Sequence, residues 1–207
     1  MIDVHALIAV ALIYAVGVMS PGPNFLAVAQ RALVHGRAEA LATAAGVITV
    51  SALWASSSLF GLAIVFKLFP WTHVILKIVG AAYLVWAGIK LWRHARVPLP
   101  IDAGGPLPGA GLLRAYRAGL ATNLSNAKAI AFYTSIFSAA APAADKTLTL
   151  WVALGMVLAI AMLWYGLIGV ALSSGPFARG YRRAKAAIER VCGVLMIGFG
   201  VELAASR

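Results

Sequence analysis

Two polar stretches interrupt apolar segments of this sequence, and together their residues suit a zwitterionic solute. The first is Ser20-Pro21-Gly22-Pro23-Asn24, and the second, between 122 and 128, contains Asn123, Asn126 and Lys128. Two prolines and a glycine should split the first segment into half-helices with unpaired N–H and C=O groups between them. The N-terminus of the second half-helix and the Lys128 ammonium favour a carboxylate, whereas the freed carbonyls and the asparagine amides can accept hydrogen bonds from an ammonium group. A purely anionic or purely cationic solute would use only half of these groups.

The composition places both stretches in a membrane protein. Of the 207 residues, 62% are hydrophobic and only 11% are charged, which leaves too few polar groups to cover a soluble domain. Several apolar runs exceed the roughly 18–20 residues that cross a bilayer. The net charge of +11 would suggest a nucleic-acid partner in a soluble protein, but here it reports basic loops beside a lipid bilayer. We therefore expect an all-α integral membrane protein that binds no nucleic acid.

Six membrane-spanning helices are expected, at about 4–30 (interrupted), 40–66, 71–92, 118–141, 148–172 and 188–205. The loops after the first, third and fifth spans carry twelve lysines and arginines, if Lys90 and Arg190, which lie at the ends of the adjoining spans, are included. The opposite side of the membrane carries four. Because basic residues favour the cytoplasmic side, both termini are expected outside.

A proline- and glycine-rich loop at 96–114 divides this single polytopic domain (1–207) into a first half at 1–95 and a second half at 115–207. Such a composition does not favour helix. Because each half has three spans, the second half must be inverted relative to the first, which is the plan of an inverted repeat in secondary transporters. The first and fourth helices are the ones that we expect to be interrupted.

Both polar stretches are predicted to lie at one depth. Gly22 precedes Arg31 by nine residues, and Asn126 follows Arg117 by nine, which is about 13 Å along a helix from the cytoplasmic flank. A lysine inside a span costs roughly 2.5–3.5 kcal/mol on insertion scales, so Lys128 needs a partner. We therefore predict one cavity, in the cytoplasmic half of the membrane, lined by Gly22 and Lys128. The alternative is that the asparagines and the lysine satisfy the broken backbone and do nothing else.

Small residues in two other spans give weaker signals. Gly46 and the serines after it, including Ser51, form a small polar face on the second span, and such faces mainly allow close helix packing. The same interpretation holds for Gly193, Gly198 and Gly200 in the last span, for which a homodimer face is the alternative.

Titratable residues exclude several other classes of function. The four histidines lie at span ends or in loops, and there is one cysteine, so neither a metal site, a redox pair nor a cofactor is expected. An intramembrane hydrolase would need a histidine at the depth of its nucleophile, and none lies deep enough. None of the six acids is central in a span, and Glu202, near the outer end of the last span, is the deepest.

Five motifs together resemble a known transporter superfamily. A first span ending in SPGPN is followed by Arg31-x-x-x-x-Gly-Arg37, by Ala45-Gly46, by Thr-Asn-Leu-x-Asn-x-Lys-Ala at 122–129 and by Gly198-Phe199-Gly200. Over essentially the whole chain this pattern is similar to the lysine exporter (LysE-type) superfamily. Within it, the pattern is most similar to the homoserine/threonine exporter branch and its threonine efflux members.

The resemblance implies a six-helix exporter of amino acids in the bacterial inner (cytoplasmic) membrane, driven by the proton gradient, and not an enzyme. It implies these substrate-binding residues: Ser20, Pro21, Gly22, Pro23, Asn24, Gly46, Asn123, Asn126 and Lys128.

The sequence departs from the family pattern at two positions. The family's Asn-Pro-Lys is here Asn126-Ala127-Lys128, which implies a straighter fourth helix with fewer free carbonyls. Many relatives carry an acid where this chain has Ser51, which leaves proton coupling through Lys128, coupling through the bound substrate, and uncoupled export all open.

A secondary exporter of small neutral amino acids such as threonine or homoserine is therefore the leading hypothesis. Export of a basic amino acid or a metal cation is the alternative within transport, and it is disfavoured because intramembrane acids are scarce. A non-transporting accessory membrane subunit is the alternative from another class. Such a subunit should tolerate Lys128→Ala, whereas a transporter should not.

Overall fold

The computed structural model describes residues 2–69, 71–97, 111–126, 128, 129, 132, 133, 135 and 147–205. Every element with described bounds is an α-helix: α1 Val4–Met19, α2 Pro23–Val34, α3 Arg37–Leu68, α4 Trp71–His94, α5 Leu112–Leu124, α6 Thr147–Ala171 and α7 Gly175–Ala205. The described residues from 128 to 135 are helical too, and we refer to them as the post-α5 segment. The predicted all-α class is confirmed.

Several of these helices have the length and hydropathy of membrane spans. Among the described residues, the candidates lie within Arg37–Gly61, Val74–His94 and Thr147–Ala171, and α1 with α2 makes a fourth if the bent pair is taken as one span. Large apolar side chains such as Leu163, which is 74% exposed, cover the outside of the bundle and suit a lipid environment. Six spans and an inverted repeat stay predictions, since much of 118–141 and of the loop at 96–114 lies outside the described residues.

The first helix is interrupted between Met19 and Pro23, where the chain bends by 53°. Ser20 and Gly22 have extended backbone conformations, and Pro23 occupies the first turn of α2. Proline is well suited to that position because the first N–H groups of a helix have no partner within it. The sequence at this break therefore ends one helix, α1, and begins another, α2, rather than bending a continuous helix.

The fourth helix is also interrupted, although Ala127 stands where the family has proline. α5 ends at Leu124, and helix resumes by Lys128. The Ser125 hydroxyl donates to the carbonyls of Ala121 and Thr122, at 2.8 and 3.3 Å, and such side-chain bonds compete with the helix ladder. Asn126 Oδ1 accepts from the N–H of Ala129 at 3.3 Å, which is how a helix is capped at its start. The missing proline therefore does not straighten this helix.

α3 and α5 are in backbone contact. A Cβ added to Gly46 would overlap the carbonyl oxygen of Tyr116, and one added to Gly119 would overlap the carbonyl oxygen of Thr43. Only residues without a side chain let two helices approach so closely. The packing interpretation of Gly46 is therefore confirmed.

α4 and α7 form a second close pair. A Cβ on Gly193 would lie 2.8 Å from the carbonyl oxygen of Gly88, and one on Gly200 would lie 2.9 Å from that of Ala81. Gly193 and Gly200 thus face α4 of the same chain, as the packing interpretation predicts. Each of the two close pairs joins a helix from the first half of the chain with one from the second half.

One end of the bundle, where α2, α4 and α6 end and α3, α5 and α7 begin, carries most of the arginines, and we call it the basic end. Here the buried Arg31 donates to Glu39 Oε2 at 2.8 Å, while Glu39 Oε1 accepts from the N–H of Gly111 at 2.7 Å. Gly111 has a φ of 138°, a conformation that favours glycine. Glu39 therefore fixes the start of α5 to the start of α3.

α7 begins at Gly175, well before the predicted start at 188. The Tyr181 ring stacks on Phe25 at a centroid distance of 5.0 Å. Lys185 Nζ donates to the carbonyls of Ala95 and Val97 at 3.2 and 2.6 Å. These tertiary contacts stabilise a basic helical segment whose composition alone indicates a loop.

Candidate functional site

The two helix breaks meet inside the bundle. Lys128 Nζ donates to the carbonyl oxygen of Ser20 at 3.3 Å and to its hydroxyl at 2.7 Å. A Cβ added to Gly22 would lie 3.3 Å from the same nitrogen. Ser20 ends α1, where the helix dipole is negative, and a lysine ammonium complements it. Gly22 and Lys128 also line the same cavities, as predicted, and the location of these cavities in the cytoplasmic half of the membrane stays a prediction.

Three buried asparagines connect the breaks to each other. Asn24 Nδ2 donates to Asn123 Oδ1, and Asn126 Nδ2 donates to Asn24 Oδ1, both at 3.0 Å. Asn123 Nδ2 donates in turn to the carbonyl of Val47 at 2.7 Å and to Ser51 Oγ at 3.1 Å. All three amide oxygens therefore accept hydrogen bonds from the protein, and the alternative interpretation, in which the asparagines satisfy the broken region, accounts for these contacts.

Asn123→Ala should lower the free energy of unfolding by about 2–3 kcal/mol, because it removes the side-chain hydrogen bonds to Asn24, Val47 and Ser51 in a site where Asn123 is 0% exposed. Thermal unfolding in detergent micelles measures the change. Thr122→Ala is the matched control, since the Thr122 hydroxyl bonds to its own helix, at Ala118, and should change stability by less than about 0.5 kcal/mol. Equal melting of the two variants would contradict a structural role for the asparagine network.

A wide cavity of about 870 Å³, which we call the vestibule, lies on one side of the breaks. Its lining includes Pro21 and Pro23 from the first break, Thr122 from α5, Lys90 from the last turns of α4, and Glu189 from α7. Because Lys90 lies near the end of α4, the vestibule extends toward the basic end.

A much smaller cavity of about 40 Å³, the inner cavity, lies on the other side of the breaks. Its lining includes Tyr14, Tyr133, Tyr165, Ser51 and Phe132. The Tyr14 and Tyr133 hydroxyls are hydrogen-bonded to each other at 2.8 Å. This volume has room for about three water-sized groups.

The nine residues implied by the resemblance have different positions relative to these cavities. Ser20, Gly22, Asn126 and Lys128 line both; Pro21 and Pro23 line the vestibule; Asn24 lines the inner cavity; Asn123 contacts Asn24; and Gly46 lies in the α3–α5 contact. The first four therefore form the boundary between the vestibule and the inner cavity. That these residues bind substrate stays a prediction.

Sequence reasoning missed Glu189 and most of the inner cavity. It identified Glu202 as the deepest acid, but Glu202 is exposed, whereas Glu189 is 5% exposed and lines the vestibule. The i,i+4 spacing of Lys185 and Glu189 at the start of an apolar run was the available signal, because such a pair can neutralise itself on one helix face. No comparable spacing in the sequence identifies Tyr14 and Tyr165 as residues that line a cavity.

The site can now be compared with known proteins. Residues 15–207 match the family described as LysE type translocator. The chain belongs to this family. Its relatives include the threonine efflux protein of Escherichia coli K12, which is 31% identical over 96% of this chain and 97% of the relative. The threonine efflux protein of Salmonella typhi is 32% identical over the same shares.

A leucine efflux protein from Enterobacter sp. strain 638 is 30% identical to this translocator over 90% of this chain and 89% of the relative. No solved structure matches the chain. The resemblance found in the sequence is confirmed. Because the family and these relatives are translocators and efflux proteins, this protein is a membrane transporter and not an enzyme.

Proposed function

We propose that this translocator exports small neutral amino acids of the threonine and homoserine type from the cytoplasm. The observation that carries the proposal is that Lys128 Nζ lies beside Gly22, the residue before α2, at the boundary between the two cavities. A solute that passes from one cavity to the other must cross this boundary. The threonine efflux relatives support the same substrate class.

The boundary has the chemistry of a carboxylate site. No side chain caps the N-terminus of α2, and the N–H of Leu26 is the one that bonds back to Gly22, at 2.9 Å. The earlier N–H groups of Asn24 and Phe25 precede the regular ladder, so they present the positive end of the helix dipole. With the Lys128 ammonium beside them, they would bind the carboxylate that every amino acid carries.

The inner cavity favours a short side chain with a hydroxyl group. Its volume of about 40 Å³ accommodates about three water-sized groups, which is the size of a threonine side chain. Tyr14, Tyr133 and Ser51 line it, and a hydroxyl group on each can both donate to and accept from a hydroxyl of the solute.

The topology belongs to the same proposal. We place six spans in the bacterial inner membrane, with the basic end in the cytoplasm and both termini outside, because basic loops favour the cytoplasmic side. The vestibule then opens to the cytoplasm and would load the solute, and exchange for protons would drive export against a gradient.

The test is efflux of labelled threonine, homoserine, lysine and leucine from preloaded cells. We expect cells with the wild-type chain to lose threonine and homoserine faster than cells with an empty vector. Gly22→Leu should abolish the difference, because Gly22 has an extended backbone that tolerates a side chain, and that side chain would fill the boundary beside Lys128.

Gly155→Leu is the matched control, since a Cβ at Gly155 meets open space and its efflux should equal that of the wild type. Because the proposal includes exchange for protons, collapsing the pH gradient across the membrane should slow the efflux of threonine. Wild-type efflux equal to that of the empty vector for every amino acid would overturn the proposed substrate class.

A further inference from the structure

We propose that Glu189, which lines the vestibule together with Lys128, binds the ammonium group of the exported amino acid. The inference rests on the proposed function and deepens it. It assigns binding of the ammonium group to the vestibule, whereas the helix breaks bind the carboxylate.

The vestibule contains charges of both signs that do not pair with each other. Lys128 and Glu189 both line it and interact electrostatically, yet no ion pair joins them in the part of the chain that the structure describes. A zwitterion between the two would place its carboxylate toward Lys128 and its ammonium toward Glu189. Glu189 is the one carboxylate among the described residues of the vestibule lining.

Glu189 is held in position by its neighbour on α7. Its Oε2 accepts from Lys185 Nζ at 2.7 Å, and the same nitrogen donates to the carbonyls of Ala95 and Val97. All three hydrogens of Lys185 are thereby engaged. Within the described residues, Glu189 Oε1 receives no protein donor, so the carboxylate is oriented and still has an oxygen for a ligand.

Several other groups that could accept from an ammonium already have partners. The three asparagine amide oxygens each accept a protein hydrogen bond, and the Ser20 carbonyl and hydroxyl both accept from Lys128. The Trp86 ring is covered by Lys90, whose Nζ lies 5.0 Å from the ring centroid. Glu189 differs from these groups in that its Oε1 receives no donor among the described residues and its carboxylate can carry the negative charge that suits an ammonium.

The other titratable groups near Glu189 do not supply negative charge. His94 of α4 and Lys128 interact with it, Lys90 lines the same cavity, and Tyr181 and Cys192 lie near it on α7. Tyrosine and cysteine side chains are neutral at pH 7. Among the described residues of the vestibule lining, Glu189 is therefore the group that can offer a negative charge to the ammonium of a ligand.

The test compares two ligands that differ only in the ammonium group. The purified full-length translocator in liposomes is assayed for inhibition of labelled threonine transport by L-threonine and by 2,3-dihydroxybutanoate, in which a hydroxyl replaces the ammonium. We expect the wild type to prefer threonine by roughly 10- to 100-fold. Glu189→Gln should remove most of this preference by weakening threonine and leaving the analogue unchanged, and Glu189→Asp should retain it.

Glu202→Gln is the control, because Glu202 is an exposed acid on the same helix, and it should behave like the wild type. A wild type without preference for threonine over the analogue would overturn the inference, whatever the variants do. A Glu189→Gln variant that keeps the preference, or that weakens both ligands equally, would also overturn it. If the wild type transports no neutral amino acid, the proposed function itself fails, and this inference fails with it.

Discussion

Lys128→Met should reduce threonine export by about 10- to 100-fold while the protein stays folded. Methionine has a similar length and no charge, so the variant loses the charge-assisted hydrogen bond to the solute carboxylate, worth about 1.5–3 kcal/mol. The Ser20 carbonyl and hydroxyl lose their donor as well, but removal of a cation from a low-dielectric site offsets that loss. Efflux of labelled threonine from preloaded cells measures the loss of export, and thermal unfolding in detergent checks that the variant stays folded.

Arg183→Met is the matched control for the loss of one positive charge. Arg183 lies on the exposed face of α7 and is not among the residues that line the vestibule and the inner cavity. The Arg183→Met variant should therefore export threonine at the wild-type rate. Normal export by Lys128→Met would show that the lysine only satisfies the broken backbone, as an accessory subunit would allow.

Gly119→Leu should destabilise the fold by more than about 3 kcal/mol and sharply lower the amount of protein in the membrane. A Cβ at this position overlaps the carbonyl of Thr43 and lies 3.0 Å from the backbone nitrogen of Val47. Both obstacles are backbone atoms of α3, so no side chain can turn away, and α3 and α5 must separate. That separation would also break the hydrogen bond from Asn123 to Val47.

Gly166→Leu provides the comparison on α6, where a Cβ meets open space and leucine is the better helix former. Its melting temperature should equal or exceed that of the wild type. Purification yield and thermal unfolding of both variants in the same detergent give the measurement. A Gly119→Leu protein as stable as Gly166→Leu would mean that α3 and α5 do not touch.

The meeting of the two helix breaks could be predicted because it depends on which residues disfavour helix and on the number of residues between each break and the basic residues that flank its span. Proline and glycine at 21–23 disfavour helix wherever they lie, and the equal spacing of Gly22 and Asn126 from basic flanks sets a common depth. Lys128 adds the energetic argument, since a buried charge requires a partner. Each of these inferences uses properties of neighbouring residues along the chain.

The rest of the site depends on contacts between distant helices. Glu189 is oriented by Lys185, which is itself held by carbonyls at the end of α4, and nothing near 189 in the sequence indicates those carbonyls. The hydroxyls of Tyr14 and Tyr133 come together from residues 119 positions apart. Hydropathy gives the order of the spans but not which faces meet, so the inner cavity and the early start of α7 could not be found.

The close pairs α3–α5 and α4–α7 constrain how this transporter can move. Within each pair the glycine contacts bring backbone against backbone, and Glu39 and Lys185 tie the pairs at the basic end. Such contacts leave little room for sliding, so we expect each pair to move as a rigid body. The vestibule lies between these bodies, since α4 and α7 line one wall and the end of α5 lines the other. Alternating access would then be a rocking of one pair against the other, with the hinge at the broken first helix, rather than a movement of the first half of the chain against the second.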